Sequence, residues 1–370
     1  MSELRYHPFL DQWVITATHR QDRTFHPPAD YCPLCPTKEG GFPTEVPRDS
    51  YDIVVFENKF PSLKLDPPEP DVPGNDVTPV RPSHGVCEVV CYSQVHTGTF
   101  ATMPYLQARK LTRVWKDRYV DIGDREGIEY VFIFENKGKE IGVTLSHPHG
   151  QIYAYPFIPP TLKIELENER RHQRETGRPL MEAWLAMELG GEYAREHRRK
   201  IVNQADLGIP RDEEREDRPR REMPWDKLPA DGEEGKRVVW QNDTFVAIVP
   251  FFARYPYEVY VAPKPHLRSL RDMDEAALDD LAEALQVVTR KYDKLFGFSM
   301  PYIMAMHQEP TTPGFDFTWF HVEFYPPYRT ANKLKYLAGS EAGAGAFIND
   351  TLPEVTAKTL REIEIDPVRG

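Results

Sequence analysis

His147-Pro148-His149-Gly150-Gln151-Ile152-Tyr153 reads as a strand with polar side chains at every second place, and Phe320-His321-Val322-Glu323-Phe324-Tyr325 reads as its counterpart late in the chain. Side chains at i, i+2 and i+4 of a strand share a face, so the first stretch predicts His147, His149 and Gln151 in one row. Working outward, the same order of elements precedes each stretch. In the first half, strands over 52–57 and 86–93, the second running on towards His96, lead to a long amphipathic helix over 105–121 and a strand over 129–136. In the second half, strands over 237–242, 245–249 and 258–262, the last leading to His266, precede a helix over 274–296 and a strand over 302–307. A period this long lies well beyond the ~20–50 residues of solenoid repeats and predicts a duplicated α+β unit.

Three parts follow from that reading: residues 1–170 as one half, 171–235 as a charged helical connection, and 236–370 as the other half. The segment 163–223 is dense in charge, including Arg211-Asp212-Glu213-Glu214-Arg215-Glu216-Asp217-Arg218, and reads as a solvated face.

Composition narrows the classes. With 40% hydrophobic and 28% charged residues among 370, the chain is an ordinary globular sequence, and its 35 prolines point to extended connections. A net charge of −12 argues against neutralising a nucleic-acid backbone over a broad surface, yet leaves room for a small anion held by a few local arginines. No apolar run approaches the ~20 residues of a membrane span, and residues 1–10 carry charge in place of an apolar leader core, so a cytoplasmic location with no membrane contact is expected. Four cysteines are too few for a disulfide framework, and Cys87 and Cys91 read as core residues of a strand.

Cys32-Pro33-Leu34-Cys35 has the spacing at which one turn presents two thiolates to a tetrahedral Zn²⁺. Two more ligands are needed, and His96 and His147 are the best-placed histidines. The alternative is a pair of reduced, exposed thiols. If His147 is a ligand, His149 is the imidazole whose position the metal fixes. A neutral imidazole is a competent nucleophile, and the Gln151 amide can donate to phosphoryl oxygens but cannot act as a base. That combination suits phosphoryl or nucleotidyl transfer better than hydrolysis. The loop Thr18-His19-Arg20-Gln21-Asp22-Arg23 carries two arginines able to grip a diphosphate, although loop arginines are commonly just solvated.

With these residues in view the sequence resembles the galactose-1-phosphate uridylyltransferase family, a duplicated branch of the histidine-triad superfamily with antiparallel sheets and packed helices. The resemblance rests on 18–23, Cys32 to Cys35, Phe56-Glu57-Asn58-Lys59-Phe60-Pro61, Phe134-Glu135-Asn136-Lys137-Gly138, His147 to Gln151 and Phe324-Tyr325-Pro326-Pro327. It implies a ping-pong transfer of uridylyl from UDP-glucose to galactose 1-phosphate through a covalent uridylyl-histidine at His149, with Gln151 assisting. Arg20, Arg23, Asn136, Thr144 and Gln151 would hold phosphates, Asn58 the uridine, and Lys335 and Glu341 the hexose phosphate. Cys32, Cys35, His96 and His147 would bind a structural zinc, and Glu165, His307, His321 and Glu323 would form a second site for iron or zinc or a hydrogen-bonded cluster. A homodimer is implied, each nucleotide pocket being finished by the neighbouring subunit. Lys59, Ser340 and Phe347 depart from the family's pattern near the ribose and the hexose. The closest rival is a related nucleotidyltransferase such as an ADP-glucose or dinucleoside-polyphosphate phosphorylase. A zinc-stapled, non-catalytic nucleotide- or RNA-binding protein would keep the cysteines but would not need His149.

Overall fold

The computed structural model describes residues 2–22, 31–190 and 235–369. Nine strands form one antiparallel sheet: β3 (Val54–Glu57), β5 (Val86–Cys91), β7 (His149–Tyr155) and β6 (Tyr130–Lys137) from the first half, then β11 (Tyr302–His307), β12 (His321–Tyr325), β10 (Val259–Pro263), β9 (Phe245–Ile248) and β8 (Val238–Gln241), in that spatial order. The two halves are therefore joined edge to edge by the β6–β11 ladder, which pairs Lys137 with Tyr302 and Phe134 with Ala305. A smaller sheet of β2 (Gln12–Ala17), β1 (Ser2–His7) and β4 (Val80–Pro82) and a hairpin of β13 (Tyr328–Thr330) and β14 (Lys333–Leu334) complete the strands.

The duplication is visible in the register. Gln151 pairs with Phe134 on one side and Val89 on the other. Glu323 does the same with Ala305 and Tyr260. Matching both ladders at once places Gln151 opposite Glu323 in the repeat, His149 opposite His321, and Asn136 opposite His307.

One face of the sheet is closed by α1 (Tyr105–Gly123) and α4 (Glu275–Leu295). Ala108, Leu111, Trp115 and Ile122 make the buried stripe of α1 and meet Val131, Ile133, Ile152 and Ala154 of the sheet in the main core. Asp274 caps α4 by accepting from the Ala277 N–H at 2.8 Å, and Arg109 ties α1 to α4 through Asp279 at 2.6 Å. Gly150 faces this side, where a Cβ would fall 2.2 Å from the Tyr92 hydroxyl, so the glycine of the His-Pro-His-Gly-Gln stretch answers to packing behind the strand.

The opposite face is covered piecewise. Leu4, Trp13 and Ile15 lie over Cys87, and the Cys32–Leu34 loop lies over Val89 and Cys91. Over the second half lies α3 (Leu180–Leu189), which follows α2 (Pro160–Thr176). Met181 and Leu185 pack on Val246, Ile248 and Trp319. This corrects the reading of 163–223 as a solvated face: the apolar decapeptide of α3 is a lid on the sheet. Residues 191–234, including the run 211–218, lie outside the described residues. Helix α5 (Pro353–Glu362) runs late in the chain, and no helix among the described residues is long and apolar enough to cross a membrane.

The row expected of His147, His149 and Gln151 is two residues long. β7 begins at His149, paired with Cys91. Pro148 has no N–H to give a ladder and sits in a bend with His147, which turns its ring inward. His96 likewise lies in a bend beyond β5, not at its end.

Candidate active site

Two adjoining cavities open on the first half's face opposite α1. The larger, about 310 Å³, has walls of Leu34, Phe56, Phe60 and Val89 with Asn58 at its side. The smaller, about 150 Å³, is polar and takes Arg20, Asn136 and Tyr153. Thr144, His149 and Gln151 line both. An apolar slot accepts a flat ring, and a polar recess with a guanidinium and two amides accepts an anion. The histidine stands at the junction.

Its tautomer is fixed by the backbone. His149 Nδ1 lies 2.7 Å from the His147 carbonyl oxygen, which can only accept, so Nδ1 carries the hydrogen and the neutral ring presents its lone pair at Nε2. Arg20 donates to the Tyr153 hydroxyl at 3.3 Å, and Asn58 Oδ1 accepts from the Phe60 N–H at 2.9 Å, which steadies its side chain.

Cys32, Cys35, His96 and His147 bring one donor atom each to within 4.8 Å of one another. His147 Nε2 gives its hydrogen to the Ser93 carbonyl at 2.8 Å, so the Nδ1 lone pair faces Cys32 and Cys35 Sγ at 3.8 and 3.6 Å. Burial lowers His147 to about 4, which keeps the ring neutral. Burial and the neighbouring Cys32 push the Cys35 thiol up to about 11, a state that a bound cation reverses. Two thiols and two aimed imidazoles fit a tetrahedral divalent ion with no open position.

Over the second half's strands, Glu165 of α2 joins His307, His321 and Glu323 in an equally tight group. Glu165 Oε2 is 2.7 Å from His307 Nδ1, and Glu323 Oε1 is 3.2 Å from His321 Nε2. Arg254 adds a guanidinium 2.8 Å from Glu323 Oε2. Burial opposes charge on His307, but Glu323 and Glu165 outweigh it and raise it to about 9. Burial also acts against charge on Glu323, yet His307, His321 and Arg254 hold its carboxyl below the usual range.

The family follows from comparison along the whole chain. Residues 1–159 match the model for the galactose-1-phosphate uridyl transferase N-terminal domain, and residues 213–367 match the model for its C-terminal domain. The chain belongs to the galactose-1-phosphate uridylyltransferase family. The galactose-1-phosphate uridylyltransferase of Thermotoga maritima is 39% identical over 371 residues, covering 99% of this chain and 100% of the relative. That of Streptomyces lividans is 33% identical over 98% of this chain and 87% of its own length. A solved uridylyltransferase structure superposes with a TM-score of 0.75 at 29% identity, covering 97% of each chain. As a member of the galactose-1-phosphate uridylyltransferase family the chain is a nucleotidyltransferase.

Of the residues singled out in the sequence, Arg20, Asn58, Asn136, Thr144, His149 and Gln151 meet at the paired cavities, and the two metal-type quartets each assemble. Arg23 lies outside the described residues. Lys335 and Glu341 pair with each other at 3.1 Å but line neither cavity. Lys59 is held by Glu45 at 2.9 Å on the rim of the larger cavity. Sequence reading missed Tyr51, whose hydroxyl lies 2.8 Å from His147 Nε2 and 3.0 Å from the Leu34 carbonyl. It also missed Arg254, which follows directly on the uncharged, core-like stretch Thr244 to Ala253, a position that could have marked it.

Proposed function

We propose that this chain moves a uridylyl group from UDP-glucose to galactose 1-phosphate through a covalent intermediate on His149. His149 Nε2 attacks the α-phosphorus, and the bond from that phosphorus to the bridging oxygen breaks, releasing glucose 1-phosphate and leaving a phosphoramidate. A phosphate oxygen of galactose 1-phosphate then attacks the same phosphorus, the P–N bond breaks, UDP-galactose leaves and the imidazole is restored. The observation that carries this reading is the His149 Nδ1–H bond to the His147 carbonyl, which aims Nε2 at the junction of an apolar slot and an anion recess.

In this scheme the slot takes the uracil with Asn58 on the uridine, while Arg20, Arg23, Asn136, Thr144 and Gln151 hold the phosphates. The Gln151 amide stabilises charge on the non-bridging oxygens as they pass through the transition state. A zinc ion held by Cys32, Cys35, His96 and His147 is structural, fixing the residue whose carbonyl orients His149. The quartet of Glu165, His307, His321 and Glu323 is offered as a second metal site.

Lys335 and Glu341 serve the hexose phosphate of a neighbouring subunit in a homodimer. Supporting this, they line neither cavity at His149, and Tyr336, Leu337 and Ile348 near them are exposed. The parts 1–170, 171–235 and 236–370 then act as a catalytic half, a connection and a half that supplies the hexose contacts.

The test is mass spectrometry after brief incubation with UDP-glucose and no acceptor. One UMP is expected on His149, acid-labile and stable to mild base. No adduct, or an adduct on another residue, defeats the mechanism.

A further inference from the structure

Glu45 is the one carboxylate among the described residues that line the two cavities at His149. A carboxylate accepts hydrogen bonds and gives none, and beside a recess for phosphate it repels the ligand unless its charge is balanced. Its presence there calls for a cation on one side and a ligand donor on the other.

The cation is Lys59, whose Nζ lies 2.9 Å from Glu45 Oε1. The lysine side chain is 63% exposed and the glutamate 27%, so the pair stands at the mouth of the slot with the carboxylate as its more buried member. An ion pair this exposed adds little to stability. What it does is hold the carboxylate in one place. The main chain works to the same end. The Glu45 N–H donates to the Pro33 carbonyl at 2.9 Å and the Thr44 hydroxyl to the Cys35 carbonyl at 2.7 Å, which pins Glu45 to the loop that walls the slot. The second carboxylate oxygen, Oε2, has lone pairs for a ligand.

The donor follows from the shape of the site. Apolar walls take a flat ring, so the mouth of the slot takes what is joined to that ring. Asn58 lines the same slot, and with its Oδ1 accepting from the Phe60 N–H, its Nδ2 hydrogens are left to give. A group that meets both neighbours must donate to Glu45 and accept from Asn58. Each hydroxyl of a ribose cis-diol can do both, whereas the imide N–H of uracil can only donate.

We propose that Glu45 determines specificity for a ribonucleotide by accepting from the 2′ and 3′ hydroxyls, and that Lys59 positions its carboxylate and balances its charge near the phosphates; this rests on the slot holding the nucleoside, as in the proposed transfer.

The experiment is calorimetric titration of the full-length protein with UMP, 2′,3′-dideoxy-UMP and 3-methyl-UMP, none of which carries a leaving group, so that binding is read apart from transfer. UMP should bind at least about tenfold more tightly than the dideoxy compound, the loss expected when a charged acceptor forfeits its donor. Glu45→Ala should bring the two within about threefold by weakening UMP, Asn58 keeping the remainder. Lys59→Met should narrow the same preference at least about threefold, an effect that a purely structural lysine would not have. Equal affinity for UMP and the dideoxy compound in the native chain, or an unchanged preference in Glu45→Ala, overturns the proposal, and full preference in Lys59→Met overturns the positioning role. A Glu45-dependent loss with 3-methyl-UMP in place of the dideoxy compound gives the carboxylate to the base and overturns it as well. Should Glu45→Ala fail to fold, Glu45→Gln, of the same length and without the charge, takes its place and should narrow the preference at least about threefold. UMP that does not bind at all defeats the nucleotide slot and this proposal together, whereas UMP binding without a dideoxy penalty defeats this proposal alone.

Discussion

Glu135 offers a sharp test of how the two halves are joined. It stands on β6, 4% exposed, with the Tyr92 hydroxyl 3.3 Å from Oε2 and the Tyr302 hydroxyl 3.3 Å from Oε1. Tyr92 packs behind Gly150 of β7, and Tyr302 belongs to β11, so one carboxyl links the halves at their seam. Burial raises its pKa to about 7 from the 4.5 of an exposed glutamate, against the pull of Lys137 and the two hydroxyls. Below pH 4.5 folded and unfolded chains both hold the proton, and the group adds no pH dependence. Between 4.5 and 7 the unfolded chain gives up its proton first, so folding binds a proton and stability falls as pH rises. Above 7 the cost is constant. At 1.36 kcal/mol per unit it amounts to about 3 kcal/mol.

Glu135→Gln removes the titration and keeps an oxygen acceptor for one tyrosine. The stability of the variant relative to the native chain should therefore improve by about 3 kcal/mol between pH 4.5 and pH 8, whatever its offset at low pH. The assay is guanidinium unfolding of both proteins across that range, read from midpoints at matched m values. Parallel curves would show that Glu135 titrates normally, and the account of a dry seam would fail.

Cys32→Ser should lower metal content at least about tenfold and lower the melting temperature with it, because metal-binding free energy is part of folding free energy. Metal analysis and calorimetry of one preparation check this, and loss of turnover at wild-type stability would speak against a structural ion. Gln151→His should slow transfer by about 10² to 10³ through loss of an amide donor, while raising the ratio of UMP released to UDP-galactose formed, since an imidazole can take a proton from water. An unchanged ratio would mean that Gln151 only binds phosphate.

Much of this architecture was written locally. The strand over 302–307 is found as Tyr302–His307, and the helices expected over 105–121 and 274–296 are Tyr105–Gly123 and Glu275–Leu295, because period and punctuation are local signals. What required the fold was non-local. Nothing near Phe134 announces its pairing with Ala305, so the fusion of both halves into one sheet left no trace in either segment. The row of three failed at Pro148, where the missing N–H was in plain view but was outweighed by the alternating pattern. Residues Leu180–Leu189 are apolar on nearly all sides, which gives no helical stripe, and they sit amid charged residues that masked their burial. At the site, His149 and Gln151 were legible as chemistry, whereas Tyr51 works through carbonyl oxygens, which no sequence motif records.

The seam also sets an order of events at the ribosome. Tyr130-Val131-Phe132-Ile133-Phe134-Glu135 is six residues of high strand propensity with one charge and neither proline nor glycine, the profile of a segment that pairs with copies of itself. In the finished molecule both its edges are covered, by β7 and by β11. During synthesis β7 begins at His149, soon after β6 ends at Lys137, but β11 emerges only after the long stretch up to Tyr302 has been made, roughly 10 to 30 s later at ordinary elongation rates. For that interval the nascent first half carries a bare, apolar edge. A chain cut short before Tyr302 would carry it permanently, and such fragments would be expected to associate edge to edge.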